Sequence, residues 1–161
     1  IMIGVGDRLP EATFRVLGSE GIEKMTTSDI FSGRKVVVFA VPGAFTPTCH
    51  LKHLPGFIDN ADAFKKKGVH TVACIAVNDP FVLDAWSKAA SGRGKVLFLS
   101  DGNAEFTKAI GLDFDGSGIG LGTRSKRYAM LVDDGVVKIL KVEESPGIAD
   151  VSTAENLLAE V

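Results

Sequence analysis

Cys49 is the residue of this sequence best placed to act as a nucleophile. It follows a loop of proline, glycine and threonine residues at positions 42–48, and an apolar pattern typical of a helix begins directly after it. Backbone N–H groups and the positive end of the helix dipole stabilise a thiolate at such a position, where reactive cysteines have pKa values of about 3.5–7.5. The alternative is a buried, inert cysteine, but the polar and turn-forming neighbours favour a reactive one.

Thr46 stands three residues before Cys49, where a C-x-x-C redox motif would have its first cysteine. With threonine there, exchange between two neighbouring sulfurs is excluded, but the hydroxyl can hydrogen-bond both a thiolate and a substrate oxygen. The same hydroxyl could cap the helix that we expect to begin near Thr48. The two roles are compatible.

The other cysteine and two of the histidines are expected to have structural roles. Cys74 lies among the small and apolar residues 72–76, which predicts an inert side chain in a buried strand. His50 and His53 adjoin Cys49 and could mimic metal ligands, but no spacing supplies a fourth ligand. We therefore expect both histidines on the polar face of a helix, and neither a metal nor a cofactor.

The hydrophobic pattern predicts the scaffold that positions these residues. Continuous β-branched runs are typical of strands covered on both faces, and Asp79-Pro80 is typical of a helix start. The expected elements are a short helix ending at Gly33, strand 35–41, a helix from about 48 to 68 kinked at Pro55, strand 71–77, helix 81–90, strand 96–99, helix 105–110, strands 128–132 and 136–142 joined by a hairpin turn, and a closing helix 153–161.

This element order predicts an α/β fold with a mixed central sheet and helices on both faces. Ligands of such sheets collect beyond the carboxyl ends of the parallel strands. Residues 42–49 and residues 77–80 both fall at that end. The glycine-rich residues 116–122 neither follow a clear strand nor open a helix, so we expect a flexible connection there and no phosphate-binding loop.

Composition bounds the class of protein. The 161 residues fit one domain spanning 1–161, and the apolar share of 45% and charged share of 24% are typical of globular proteins. The net charge of −2 leaves no basic surplus for nucleic acid, and no apolar run approaches the roughly 18 residues of a membrane span. We therefore expect neither nucleic acid nor a membrane as a partner.

The two cysteines are too few for a secreted disulfide scaffold, and the first residues do not resemble a signal peptide. A reducing, cytoplasmic location is the default prediction. An organelle is the alternative if an upstream transit segment has been trimmed.

Residues 41–49 resemble the active-site signature of the peroxiredoxins, which is proline, three residues, threonine, two residues and cysteine. The Gly-Ala-Phe-Thr-Pro form is similar to that of the type II, or peroxiredoxin-five-like, subgroup. Three further stretches match that subgroup in order, at residues 54–57, 77–79 and 124–128. The resemblance covers essentially the whole chain.

This resemblance implies a thioredoxin-like fold and a thiol peroxidase that reduces hydrogen peroxide and organic hydroperoxides. At the matching positions, Cys49 is the peroxidatic cysteine, Thr46 its hydroxyl partner, Pro42 the ring that shields the pocket and Arg127 the cation beside the sulfur. Arg124 matches another arginine of the family, for which a structural role is expected.

The implied chemistry is attack of the thiolate on one peroxide oxygen, which converts Cys49 to a sulfenic acid. Negative charge grows across the breaking O–O bond, so hydrogen-bond donors aimed there accelerate the step. The hydroxyl of Thr46, the guanidinium of Arg127 and the backbone N–H groups of Thr48 and Cys49 are the expected donors.

The resemblance implies less directly how the oxidised Cys49 is reduced again. Many members have serine where this chain has His50, and the region of Val151, where some members carry a resolving cysteine, has none. Cys74 matches a position used or proposed for resolution, but its strand would have to unwind. The resemblance suggests an external thiol, from glutathione with glutaredoxin or from thioredoxin, and a homodimer with the Cys49 loop and Phe81 near the contact.

Two other functions stay open at this point. A non-catalytic thioredoxin-fold binding or chaperone-like module would leave Cys49 unactivated. A cysteine hydrolase would need a general-base histidine held near Cys49, and the sequence offers no identifiable carboxylate to orient one.

Overall fold

The computed structural model describes residues 2–161, which form nine strands and six α-helices. The strands are β1 (Thr13–Gly18), β2 (Gly21–Thr26), β3 (Lys35–Val41), β4 (Thr71–Ala76), β5 (Leu97–Ser100), β6 (Asp113–Asp115), β7 (Thr123–Ser125), β8 (Tyr128–Asp133) and β9 (Val136–Val142). The helices are α1 (Thr27–Phe31), α2 (Leu54–Asp59), α3 (Ala61–Lys66), α4 (Pro80–Ala89), α5 (Glu105–Ala109) and α6 (Ala154–Leu158). A π-helical turn, Cys49–His53, precedes α2, and a 3-10 turn, Ser117–Ile119, lies between β6 and β7.

Seven of the strands form one mixed sheet in the order β2-β1-β5-β4-β3-β8-β9. β3 pairs in parallel with β4, which pairs in parallel with β5, while β8 runs antiparallel to β3 and forms a hairpin with β9. The predicted mixed sheet is thus confirmed. The hairpin of β1 and β2 was not predicted as strands, because its sequence shows only scattered apolar positions around a Gly18–Gly21 turn.

The central strands are buried on both faces, as their continuous apolar sequence predicts. Because side chains alternate along a strand, Val36, Val38 and Ala40 of β3 enter one core, and Val37, Phe39 and Val41 enter the other. Helices α1 and α5 cover the first core, whereas α2, α3, α4 and α6 cover the second. Both cysteines belong to the second core.

The helix predicted from about residue 48 to Gly68 is divided into shorter pieces. Pro55 has no N–H to donate to the carbonyl of Leu51, and just before it the N–H of Leu54 bonds to the carbonyl of Cys49, five residues back. A second break at Asn60, whose side chain donates to the carbonyl of Gly56 at 2.8 Å, separates α2 from α3. Proline therefore widens the turn that carries Cys49 as well as bending the path.

The ends of the other predicted helices lie within a few residues of the observed ones. The carboxylate of Asp79 caps α4 by accepting from the N–H of Val82 at 2.9 Å, with Pro80 at the first position, as predicted. Thr153 caps α6, which ends at Leu158 rather than at Val161. Residues 116–122 connect β6 to β7 through the 3-10 turn. Within residues 2–161, no helix has the length and apolar character needed to cross a membrane.

Candidate active site

Cys49 lies at the start of the π-helical turn, on the loop that leaves the carboxyl end of β3, and its side chain is fully buried. Two hydrogen bonds from neighbouring segments hold this loop. The N–H of Ala44 donates to Oδ1 of Asn78 at 2.9 Å, and Nη1 of Arg124 donates to the carbonyl of Pro42 at 3.2 Å. Arg124 thus has the structural contact expected of it, and the loop is fixed against both β4 and β7.

Arg127 brings a positive charge to the sulfur of Cys49. Its Nη2 donates to Sγ at 2.9 Å, although the two residues are 78 positions apart. Arg127 directly precedes β8, and strand alternation directs its side chain to the core that contains Cys49. Arg127 is only 2% exposed. A hydrogen bond from a buried cation is charge-assisted and is strongest when its acceptor is also charged.

Backbone and imidazole acceptors hold this guanidinium in place. The carbonyl of Pro146 accepts from Nε at 3.2 Å and from Nη2 at 3.0 Å, and Nη1 lies 2.9 Å from Nδ1 of His53. Pro146 belongs to the segment of residues 143–152 between β9 and α6, which we call the 143–152 loop. Three separate contacts therefore fix the orientation of the arginine fork.

The prediction that His53 lies on a polar helix face is wrong, since its side chain is 1% exposed. Its Nε2 lies 2.8 Å from the carbonyl of Ser152. A carbonyl can only accept and an arginine N–H can only donate, so Nε2 carries the proton and Nδ1 is the acceptor for Arg127. Burial first, and then the charge of Arg127, lower the pKa of His53 to about 3.

His53 was missed because its helical face was misjudged. Cys49 and His53 are four residues apart, and residues at this spacing share a helix face, so the spacing itself could have indicated a buried histidine. With both ring nitrogens engaged, His53 cannot serve as the base that a cysteine hydrolase requires. His50, by contrast, is half-buried, and its Nδ1 accepts from Nε1 of Trp86 at 3.0 Å.

Thr46 does not cap the helix with its hydroxyl. That hydroxyl donates to the carbonyl of Gly43 at 2.7 Å, and it is the backbone carbonyl of Thr46 that accepts from the N–H of His50 at 2.9 Å. The hydroxyl proton is thus occupied, whereas its oxygen retains acceptor capacity. Pro42, the first residue of the loop, is buried. The hydroxyl of Thr48 donates to the carbonyl of Gly147 at 3.1 Å.

Cys74 is as buried as Cys49 but lacks a donor. Burial raises the pKa of its thiol well above the ordinary value, and the charge of Cys49 adds to the rise while that of Arg127 opposes it. Neither cysteine is in a disulfide. Across residues 2–161, no three histidine, cysteine or acidic side chains are arranged to hold a metal ion.

Comparison with known proteins identifies the family. A family model described as Redoxin matches residues 4–158. The chain is 47% identical to the chloroplastic peroxiredoxin-2E of Arabidopsis thaliana, over 97% of this chain and 68% of that protein. It is 51% identical to the chloroplastic peroxiredoxin-2E-2 of Oryza sativa subsp. japonica, over 97% of this chain and 71% of that protein.

Among solved structures, reduced Prx3 from Vibrio vulnificus in complex with hydrogen peroxide is 50% identical and superposes with a TM-score of 0.93, over 99% of both chains. Sequence and structure agree over nearly the whole length. This chain therefore belongs to the redoxin family as a type II peroxiredoxin with a thioredoxin-like fold, and it is a thiol peroxidase.

Proposed function

We propose that Cys49 is the peroxidatic cysteine and that Arg127, Thr46 and Pro42 complete the site at which peroxide is reduced. The observation that carries this assignment is the 2.9 Å contact between Nη2 of Arg127 and Sγ of Cys49, both buried. This contact favours Cys49 over Cys74, because no hydrogen bond within residues 2–161 reaches the sulfur of Cys74.

The reaction proceeds by nucleophilic attack of the Cys49 thiolate on one peroxide oxygen. An S–O bond forms, the O–O bond breaks, and the other oxygen leaves as hydroxide or alkoxide, which takes up a proton to give water or an alcohol. Cys49 is oxidised by two electrons to a sulfenic acid, and the peroxide is reduced by two. Hydrogen peroxide and organic hydroperoxides both fit this scheme.

Arg127 has one donor left for the substrate. Its guanidinium carries five N–H bonds, and hydrogen bonds to Cys49, His53 and Pro146 use four of them. Among the contacts of residues 2–161, the second N–H of Nη1 has no acceptor. It can donate to the peroxide while Nη2 stays on the sulfur.

The loop supplies the remaining polar contacts. The Thr46 oxygen can accept the O–H of the incoming peroxide, because its own proton is bonded to Gly43. The backbone N–H groups of Thr48 and Cys49 lie in the first helical turn, where N–H groups lack intrahelical partners, and are the proposed donors to the departing oxygen. The buried ring of Pro42 keeps water from the thiolate.

Recycling needs an external thiol. Its thiolate attacks the sulfenic sulfur, water leaves, and a second thiol then reduces the mixed disulfide, which restores Cys49. Glutathione with glutaredoxin, or thioredoxin, is the proposed reductant. Cys74 remains a candidate resolving cysteine only if the turn of Cys49 unwinds, since Cys74 is fixed by pairing with both β3 and β5.

A homodimer is the proposed assembly. Phe45, Leu51 and Phe81, which are 49%, 70% and 59% exposed, lie on the Cys49 loop, its turn and the start of α4. Exposed apolar patches are typical of protein contacts, and these three side chains belong to segments at the carboxyl edge of the parallel strands. Sedimentation velocity of the reduced protein at micromolar concentration should show a dimer, and a clean monomer would contradict it.

Location in the cell stays a prediction. Two cysteines and no disulfide suit a reducing compartment. The cytoplasm is the default, and the chloroplastic names of two relatives favour an organelle as the alternative.

The direct test of the site is to trap the sulfenic acid. The reduced protein is treated with one equivalent of hydrogen peroxide and with a sulfenic-acid-specific reagent, and the labelled peptide is identified by mass spectrometry. The label should lie on Cys49 in the wild type and equally in a Cys74→Ala variant. Labelling of Cys74, or consumption of peroxide without any label on Cys49, would overturn the assignment.

A further inference from the structure

Glu143 is a buried carboxylate that the reaction described above does not use. It directly follows β9 and is 7% exposed. Its Oε2 accepts the backbone N–H groups of Asp150, Val151 and Ser152 at 2.8, 2.9 and 2.7 Å, and the hydroxyl of Ser152 at 2.6 Å. Four donors therefore converge on one oxygen, and no ion pair within residues 2–161 includes this carboxylate.

These bonds connect Glu143 to the sulfur of Cys49 through three residues, Ser152, His53 and Arg127. The Ser152 carbonyl that accepts from Nε2 of His53 at 2.8 Å belongs to the residue whose N–H and hydroxyl bind Glu143. His53 in turn accepts from Nη1 of Arg127 at 2.9 Å, and Nη2 of the same guanidinium contacts Cys49. Each link has a single permitted donor direction, so the order of contacts is fixed.

Glu143 also borders Arg127 directly. Its backbone N–H donates to the carbonyl of Arg127 at 3.0 Å, which extends the pairing of β8 with β9 by one residue. Three residues further on, the carbonyl of Pro146 accepts from Nε and Nη2 of Arg127. Two residues in the first half of the 143–152 loop thus touch the arginine, and the Glu143 carboxylate ties the far end of the loop to its beginning.

We infer that Glu143 is a positioning residue for the peroxidase reaction. Its carboxylate holds the 143–152 loop so that the Ser152 carbonyl keeps His53 in the Nε2–H tautomer, and His53 then keeps Arg127 on the sulfur of Cys49. The inference rests on the roles proposed above for Cys49 and Arg127. A carboxylate suits the task because one of its oxygens accepts from four donors here, and charge-assisted bonds are roughly twice as strong as neutral ones.

The test is a Glu143→Gln variant beside a Glu144→Gln control. The control makes the same chemical change one residue away, at an exposed side chain. In Glu143→Gln, the rate of Cys49 oxidation by hydrogen peroxide should fall by roughly 10- to 100-fold, because small displacements of reacting groups cost up to about that much. Nitrogen NMR of His53 should show loss of the single tautomer. The control should match the wild type.

A double-mutant cycle with His53→Ala separates positioning from general loss of packing. If Glu143 acts through His53, Glu143→Gln should add little to the effect of His53→Ala on the oxidation rate. Fully additive effects, or a folded Glu143→Gln protein with unchanged rate and tautomer, would overturn the inference. If Glu143→Gln does not fold, Ser152→Ala decides, since a smaller loss in the same direction supports the role and no change overturns it.

Arg127→Ala is measured in parallel. If Arg127→Ala is also as active as the wild type, the proposed site itself fails. If Arg127→Ala is impaired and Glu143→Gln is not, only the inference about Glu143 fails.

Discussion

The two cysteines of this protein are equally buried but differ in the groups that surround their sulfur atoms. Both side chains are fully buried in the same core, on the same face of the sheet. Cys74 has apolar neighbours, and burial raises its pKa, whereas Sγ of Cys49 accepts from a guanidinium at 2.9 Å. Burial therefore does not distinguish the two thiols. The fixed cationic donor does, and it is the basis of our proposal that Cys49 is the reactive one.

The backbone adds to this difference. Cys74 lies in the middle of β4, between β3 and β5, so its surroundings are a completed hydrogen-bonded ladder. Cys49 lies at the start of a helical path, where N–H groups remain available to an anion or a substrate oxygen. We therefore expect the same side chain to be inert at the centre of the sheet and reactive at its carboxyl edge.

The largest expected effect is that of Cys49→Ser. Turnover of hydrogen peroxide should be abolished with every reductant, because Cys74 has no donor to stabilise its thiolate. A coupled peroxidase assay with glutaredoxin and glutathione, and again with thioredoxin, measures this. Activity retained in the variant would mean that Cys74 can replace Cys49 and that the contrast between the two is false.

Arg127→Ala should come next. Loss of one donor at a site of developing charge costs about 2.7–4 kcal/mol, so the peroxide step should slow by about 10²- to 10³-fold. Stopped-flow measurement of Cys49 oxidation by hydrogen peroxide checks this. Arg127→Lys is the matched control, because it keeps the charge but not the planar fork, and should recover only part of the loss. An unchanged rate in Arg127→Ala would reassign this arginine to a structural role.

A smaller effect, on stability, is expected for His53→Gln. The pKa of His53 falls from an ordinary 6.5 to about 3 on folding. As the pH drops below about 6.5, the unfolded chain takes up a proton that the folded protein refuses, so stability is lost between about pH 6.5 and about pH 3. The slope approaches roughly 1.4 kcal/mol per pH unit.

Denaturant unfolding at a series of pH values measures this slope. The His53→Gln variant should lose less stability than the wild type over that range, since glutamine does not titrate. Parallel curves for the two proteins would show that His53 is not held neutral by burial beside Arg127.

Cys74→Ala should have the smallest effect. Turnover with an external thiol should be unchanged, and stability should fall by about 1 kcal/mol for the lost packing. Mass spectrometry of the oxidised wild type is the companion measurement. Loss of turnover with every reductant, or a stoichiometric Cys49–Cys74 disulfide, would show that Cys74 resolves the sulfenic acid after local unwinding.

The sequence predicted the part of the site that depends on local pattern. The buried strand before Cys49, the loop of residues 42–48 and the Asp79 cap at the same edge all follow from spacing and residue type. Arg127 could be selected only through the family resemblance, because nothing in a single sequence relates residues 78 positions apart. His53 was placed on a polar face, although its spacing of four residues from Cys49 would put both on one helix face, and the structure buries it. Glu143 gave no signal at all, since a carboxylate after an edge strand is ordinarily solvated.

The hydrogen bond between Trp86 and His50 makes the fluorescence of Trp86 a natural probe of the turn that carries Cys49. Trp86 is the sole tryptophan, its side chain is fully buried, and it donates to the residue next to Cys49. Indole emission is sensitive to polarity, so a turn that unwinds for thiol exchange should shift the emission to longer wavelength. Oxidation of the sulfur without unwinding should alter only the intensity. Recording both signals in one rapid-mixing experiment would time the chemical step and the opening of the turn separately, without attaching a dye.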